Sequence, residues 1–213
     1  MKKALELKRK YLSERDKLFQ TLISTNDGVH FNKNHTNLVD NIVKELVEEI
    51  LEIHPVSDFT LIAVGGYGRR DLSPKSDVDL LFIYKKTNKN IRDFITTLNN
   101  SLWDIGLEVG ISFLTIKQAT IDSKKDIKTV TKFVETRYLI GDEDYYGEFV
   151  RSIKILVGKI NPLKICEQKL LELVDRHDFY LGIKSNLEPQ IKEGIGGLRD
   201  IPVSYTHLTL PTT

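Results

Sequence analysis

Apolar residues recur at helical spacing through the first fifty positions and then switch to the spacing of strands. Leu5, Leu12 and Phe19, flanked by Tyr11, Leu18 and Leu22, predict an amphipathic helix with an ordinary solvated charged face. Leu38, Ile42, Leu46 and Ile50, with Val43, Val47 and Leu51 beside them, predict a second helix that ends before Pro55. From Phe59 the period changes: Thr60 to Val64 is short, apolar and partly β-branched and runs into Gly65 and Gly66, a strand followed by a tight turn. Asp77 to Tyr84 reads as a second strand, apolar on both faces from Val78 onward and therefore central. A helix with Ile91, Phe94, Ile95, Leu98 and Leu102 inward follows, stopped by Gly106. The third strand alternates, with Leu107, Val109, Ile111 and Phe113 on one face and Glu108, Gly110 and Ser112 on the other. Beyond it the spacing predicts helices over Thr129 to Ile140, ended by Gly141, then Tyr145 to Val157 and Leu163 to Leu181.

These elements predict an α+β fold: a small mixed sheet, two N-terminal helices packed on it, and a helical C-terminal region, with helix dominating. The expected divisions are an N-terminal helical segment over 1–56, a sheet-bearing core over 57–122, a helical region with a glycine-rich linker over 123–201, and a non-native tail over 202–213. The tail rests on Val203 to Thr213, V-S-Y-T-H-L-T-L-P-T-T, which reads like a translated sequencing adapter, so the natural protein is expected to continue past about Ile201. Trp103 and Tyr138 read as core residues. His177 lies on the apolar stripe of Leu170, Val174 and Leu181 and reads as a packed or capping histidine, not a ligand. Lys192 to Asp200 reads as a turn-rich joining loop in which Gly194, Gly196 and Gly197 are free to take positive φ.

Charge changes the picture mainly by exclusion. With 31 basic and 30 acidic residues and a net charge of +1, no global field points to a nucleic-acid or membrane partner. The lone Cys166 rules out an internal disulfide and fits a reducing compartment, so the expected localisation is cytoplasmic. No run approaches the roughly 18 apolar residues that cross a bilayer.

Chemistry concentrates between Val64 and Phe82, V-G-G-Y-G-R-R-D-L-S-P-K-S-D-V-D-L-L-F. Residues two apart on a strand share a face, so Asp77 and Asp79 present both carboxylates to one point while Val78 faces the core. Paired carboxylates repel unless a cation lies between them. Hard oxygen ligands suit magnesium, which binds one or two carboxylates and completes its shell with phosphates and water. Gly65 and Gly66 let the backbone approach a ligand, so that their amides can meet a triphosphate, and Arg69, Arg70 and Lys75 can neutralise its charge. Together these residues describe a nucleotide triphosphate site that suits a two-metal mechanism. Glu108 falls on the polar face of the third strand.

A glycine pair followed by D-x-D resembles the signature of the DNA polymerase beta nucleotidyltransferase superfamily. G-G-Y-G-R at 65–69, S-D-V-D-L-L at 76–81, L-W-D-I-G-L-E-V-G at 102–110 and N-L-E-P-Q-I-K-E-G-I-G-G-L-R-D at 186–200 narrow the resemblance to the PII-protein uridylyltransferase and uridylyl-removing enzymes. That resemblance implies the polymerase-beta-type fold and transfer of UMP from UTP to a tyrosine hydroxyl of a PII nitrogen-signal protein, with two magnesium ions. It implies Asp77 and Asp79 as metal ligands, Gly65 and Gly66 lining the triphosphate, Arg69 beside them, Ser76 next to the phosphates, and a third carboxylate on a neighbouring strand, for which Glu108 is the candidate. Arg70, Asp71, Ile111 and Ile195 stand where the family commonly has glycine, glutamate, histidine and proline, which marks a divergent branch and leaves fine substrate specificity open. ATP as the donor, a different protein or small-molecule acceptor, and a non-catalytic nucleotide sensor are the alternatives. Residues 1–213 carry no His-Asp phosphohydrolase motif and no paired amino-acid-sensing domains.

Overall fold

In the computed structural model, residues 2–182, 194–197 and 200 are described. The chain divides into two compact units, Met1–Lys154 and Ile155–Thr213. The first contains the sheet and the candidate site.

Two long helices open it, α1 (Lys2–Thr25) and α2 (Gly28–Ile53). The second begins at Asp27, whose carboxylate accepts from the His30 amide at 2.9 Å and so satisfies one of the orphan donors of the first turn. Strand β1 (Phe59–Val64) then leads into a single helical turn, α3 (Gly65–Gly68), and strand β2 (Val78–Tyr84) returns beside it. Helix α4 (Lys89–Ile105) is capped by Asn88 and ended by Gly106 at φ +95°, a left-handed position that glycine takes without Cβ strain. Strand β3 (Val109–Leu114), helices α5 (Ile116–Lys125) and α6 (Ile127–Val134), strand β4 (Thr136–Gly141) and helix α7 (Glu143–Val157) follow.

The sheet has the order β3-β2-β1-β4, with β2 and β3 parallel and the other pairs antiparallel, so it is small and mixed as expected. Both faces of its centre are dry. Phe59, Leu61, Ala63, Val78, Leu80 and Phe82 point to one face and join a core with Val43, Leu46, Val47 and Ile50 of α2 and Phe94, Leu98 and Leu102 of α4. By the alternation of side chains along a strand, Ile62, Val64, Leu81 and Ile83 point to the opposite face and are also wholly buried. Val130, Phe133 and Phe149 are buried too, Phe133 meeting Phe149 edge-on with centroids 5.7 Å apart.

The expectation of one helix across Thr129 to Ile140 is corrected. The helix stops at Val134, and Thr136–Gly141 is a fourth strand paired with β1, Thr60 opposite Gly141 and Val64 opposite Thr136. Gly141 is therefore no helix stop. Its φ is +112°, and a Cβ there would stand 2.5 Å from the Phe59 carbonyl oxygen, so the position needs glycine for close strand contact. The boundary expected near residue 122 also does not divide the sheet-bearing unit, because β4 lies beyond it.

Two expected core aromatics are placed elsewhere. Trp103 is 56 % exposed, and Tyr138 is half-buried, its hydroxyl donating to the Gly141 carbonyl at 2.7 Å. In the second unit, α8 (Pro162–Gly182) carries His177, whose Nε2 lies 3.1 Å from the Asp200 carboxylate beside an Arg176–Asp200 ion pair. Gly196 has φ +74° as its loop reading expects. Lys192, Arg199 and the tail over 202–213 lie outside the described residues.

Candidate active site

One end of the sheet gathers the predicted residues. Antiparallel pairing of β1 with β2 places the turn that leaves β1 next to the start of β2, so Gly65 and Asp79 meet across the strands. A Cβ on Gly65 would stand 3.6 Å from Asp79 Oδ2, and one on Gly110 of β3 would stand 3.1 Å from Asp79 Oδ1. The carboxylate thus lies in a cradle that two glycines leave open, and side chains at those positions would fill the space a cation and its ligands require.

Parallel pairing of β2 with β3 brings the third carboxylate alongside. The Val78 amide donates to the Glu108 carbonyl at 2.7 Å, and Asp79 lies opposite Gly110 in register. Asp77, Asp79 and Glu108 line one cavity of about 480 Å³ together with Trp103, Val109 and Gly110. Among the described residues no three carboxylate, imidazole or thiolate groups converge closely enough to hold a metal ion unaided. Asp79 in its glycine cradle, with Asp77 on the same cavity, nevertheless fits magnesium carried in on a nucleotide, since phosphates complete its shell.

Lys132, on α6, places Nζ 2.9 Å from Asp79 Oδ1 and supplies a cation inside the site. It was not among the sequence-predicted residues, and its only signal was position: the last turn of a short helix whose cap, Asp126, accepts from the Lys128 and Thr129 amides.

The glycine turn is fixed from behind. Gly65 has φ +60°, and its amide donates to the Glu135 carbonyl at 3.0 Å, so this N–H is committed within the fold and not offered to a phosphate as the sequence suggested. Arg69 pairs with the Glu135 carboxylate. Arg70, at φ +64°, donates to Asn37 Oδ1 at 3.1 Å. Tyr67 is buried and donates through its hydroxyl to Asp40 Oδ1 at 2.7 Å. Arg137 of β4 grips the same Asp40 with two nitrogens at 2.6 and 3.0 Å, and donates to the Tyr67 carbonyl at 3.2 Å. Burial, and then the Asp40 charge, hold the Tyr67 phenol well above its ordinary value, so it stays a donor. Ser76, half-buried, stands in the loop just ahead of Asp77, its amide tied to the Ser73 carbonyl at 3.0 Å.

Comparison with known proteins agrees with this geometry. A family described as "Nucleotidyltransferase domain" matches residues 43–169, from within α2 to within α8, a stretch that includes Gly65, Asp77, Asp79, Glu108 and Lys132. The chain belongs to the nucleotidyltransferase domain family. It is therefore an enzyme of the nucleotidyltransferase class. A second family, described as "GlnD PII-uridylyltransferase", matches residues 164–210. Among similar proteins, one from Nitrosospira multiformis is 33 % identical over 202 residues, covering 92 % of this chain and 22 % of the relative. One from Haemophilus influenzae is 34 % identical over 174 residues, covering 81 % and 20 %. One from Chromobacterium violaceum is 39 % identical over 142 residues, covering 66 % and 16 %. Each is named a bifunctional uridylyltransferase/uridylyl-removing enzyme, and the chain spans about a fifth of the length of the first two. Among the described residues no helix is long and apolar enough to cross a membrane.

Proposed function

We propose that this nucleotidyltransferase moves UMP from UTP to a tyrosine hydroxyl of a PII-type signal protein in the cytoplasm. The observation that carries the reading is the meeting of the Gly65 turn with Asp79 across paired strands, with Asp77 and Glu108 on the same cavity. The donor and acceptor identities draw support from the names of the similar proteins and from the second family match at 164–210.

In this reading the half-exposed Gly65 and Gly66 leave room for the triphosphate, with Arg69 and Ser76 flanking it. Asp77 and Asp79 would hold two magnesium ions, which when bound offset phosphate charge and acidify the attacking hydroxyl. Lys132 neutralises Asp79 and provides a further cation beside the phosphates. The acceptor oxygen bonds to the α-phosphorus, the bond from that phosphorus to the α–β bridging oxygen breaks, and pyrophosphate departs. Glu108, exposed at the cavity mouth, accepts the hydroxyl proton.

Label transfer tests this directly: the chain is incubated with magnesium, a PII protein and α-labelled UTP or ATP, beside an Asp77→Ala, Asp79→Ala variant. Label should pass from UTP to PII and fall by about 10³-fold or more in the variant, the scale on which removal of charge-stabilising groups acts. Label from ATP alone would overturn the donor assignment. Magnesium-dependent nucleotide binding without transfer to PII would replace it with another acceptor or a nucleotide sensor.

A further inference from the structure

The catalytic cavity has an indole in its wall that the reaction above does not use. Trp103 stands in the last turn of α4, where Leu102 and Ile105 are wholly buried, while Trp103 itself is 56 % exposed and lines the cavity with Asp77, Asp79 and Glu108. Its neighbours already serve the core, so packing does not account for an aromatic ring at this position.

The arrangement around Asp79 says which reactant the ring meets. Oδ2 of Asp79 faces Gly65, on the β1 side, and Oδ1 faces Gly110, on the β3 side. Among the described residues the cavity is lined from the β2 and β3 side and by Trp103, with no residue of the glycine turn in its wall. In phosphoryl-type transfer the attacking and leaving oxygens lie roughly in line, on opposite sides of the phosphorus. With the triphosphate at the glycine turn, pyrophosphate leaves on the β1 side and the hydroxyl must come from the cavity. Glu108, the carboxylate of that wall not assigned to metal, suits a neutral hydroxyl that sheds a proton.

We propose that Trp103 is the acceptor-positioning residue, its indole face stacking against the phenol ring of the tyrosine whose oxygen attacks. The proposal rests on the transferase reading and names the side from which the acceptor enters. Tyrosine against tryptophan is a favourable offset or edge-on pairing, and tryptophan is enriched among the residues that carry binding energy at protein surfaces.

Trp103 is the single tryptophan of the chain, which makes its emission a reporter of this contact. The full chain is titrated first with magnesium and a non-transferable α,β-methylene UTP, then with a tryptophan-free PII protein. Emission should shift to the blue, or be quenched, on adding PII and stay nearly constant with nucleotide alone. In steady-state transfer, Trp103→Ala should raise KM for PII about tenfold, leave KM for UTP within about twofold, and be rescued by Trp103→Phe to within about threefold. Emission that answers nucleotide alone, with KM for UTP rising, would place the base on the indole and overturn the proposal. Unchanged kinetics in the alanine variant would overturn it as well. A wild-type chain that transfers nothing while its emission responds to PII would overturn the transferase reading and keep the contact; no response to PII would remove the contact whatever the transfer result.

Discussion

The two sides of Asp79 are built differently. On the β1 side the glycine turn is held by a buried network: Tyr67, Asp40 and Arg137 tie it to α2 and β4, and Glu135 takes both the Gly65 amide and the Arg69 side chain. On the β3 side stand an edge strand, an exposed glutamate, a glycine and a half-exposed indole around open space. A transferase needs this asymmetry. The nucleotide is the same in every turnover, so its cradle gains from rigidity that positions the phosphorus before the acceptor arrives. In the proposed reaction the acceptor is a protein, whose approach requires an unobstructed surface.

If the contrast is real, damage to the two sides should differ in kind. The largest effect is expected from Arg137→Met. The side chains of Arg137 and Asp40 are only 16 % and 10 % exposed, so removing the guanidinium leaves a nearly buried carboxylate without its partner, a loss of roughly 3 kcal/mol. Urea denaturation should show the midpoint falling in Arg137→Met and recovering in the double variant with Asp40→Asn; a single variant as stable as wild type would mean the network holds nothing together.

Gly68→Ala should come next. A Cβ there would stand 2.3 Å from the Glu135 carbonyl oxygen and 3.1 Å from that of Ala63, both backbone, so strand β4 must move at a cost of about 2 kcal/mol. Gly110→Ala tests the opposite side. Its Cβ would meet only Asp79 Oδ1, at 3.1 Å, so the unfolding midpoint should shift by less than about 0.5 kcal/mol, as for most substitutions at exposed positions, while transfer activity drops sharply. Equal loss of stability in both glycine variants would erase the distinction between a braced side and an open one.

The open side was the more legible in the sequence. Alternation along Leu107 to Phe113 identified β3 and put Glu108 and Gly110 on one face, and the D-x-D spacing put Asp77 and Asp79 on one face of the second strand, because a period of two is a local property of extended backbone; that Asp79 stands beside Gly110 comes from the pairing of β2 with β3. The braced side was not legible, because its bonds join residues about thirty to a hundred positions apart: Tyr67 with Asp40, Arg137 with Asp40, Arg69 with Glu135. Strand β4 was misread for a related reason. Val130, Phe133 and Val134 keep helical spacing up to its edge, no glycine or proline marks the break at Glu135, and pairing with β1 decides the outcome. Trp103 reads as core from the sequence, although it falls on the outer side of α4.

The smallest effect sharpens the contrast through pH. His35 of α2 is buried behind the loop that joins the glycine turn to Asp77: its Nδ1–H donates to the Leu72 carbonyl at 3.1 Å, and its Nε2 accepts from the Tyr11 hydroxyl at 3.2 Å. Burial holds the imidazole below its ordinary value of 6.5, opposed by the bond to Leu72 and aided by the nearby Arg15 charge. The folded chain therefore takes up this proton less readily than the unfolded chain. Stability from the neutral ring is present in full above 6.5 and is lost as pH falls toward the depressed folded value. Melting temperature should decline between 6.5 and about pH 5, before carboxylates titrate, and His35→Gln should flatten that decline even if its plateau is lower. The same slope in both proteins would show that the histidine does not brace the loop. A slope that vanishes together with a weaker pH dependence of nucleotide affinity would tie the nucleotide side, and not the acceptor side, to the packing behind it.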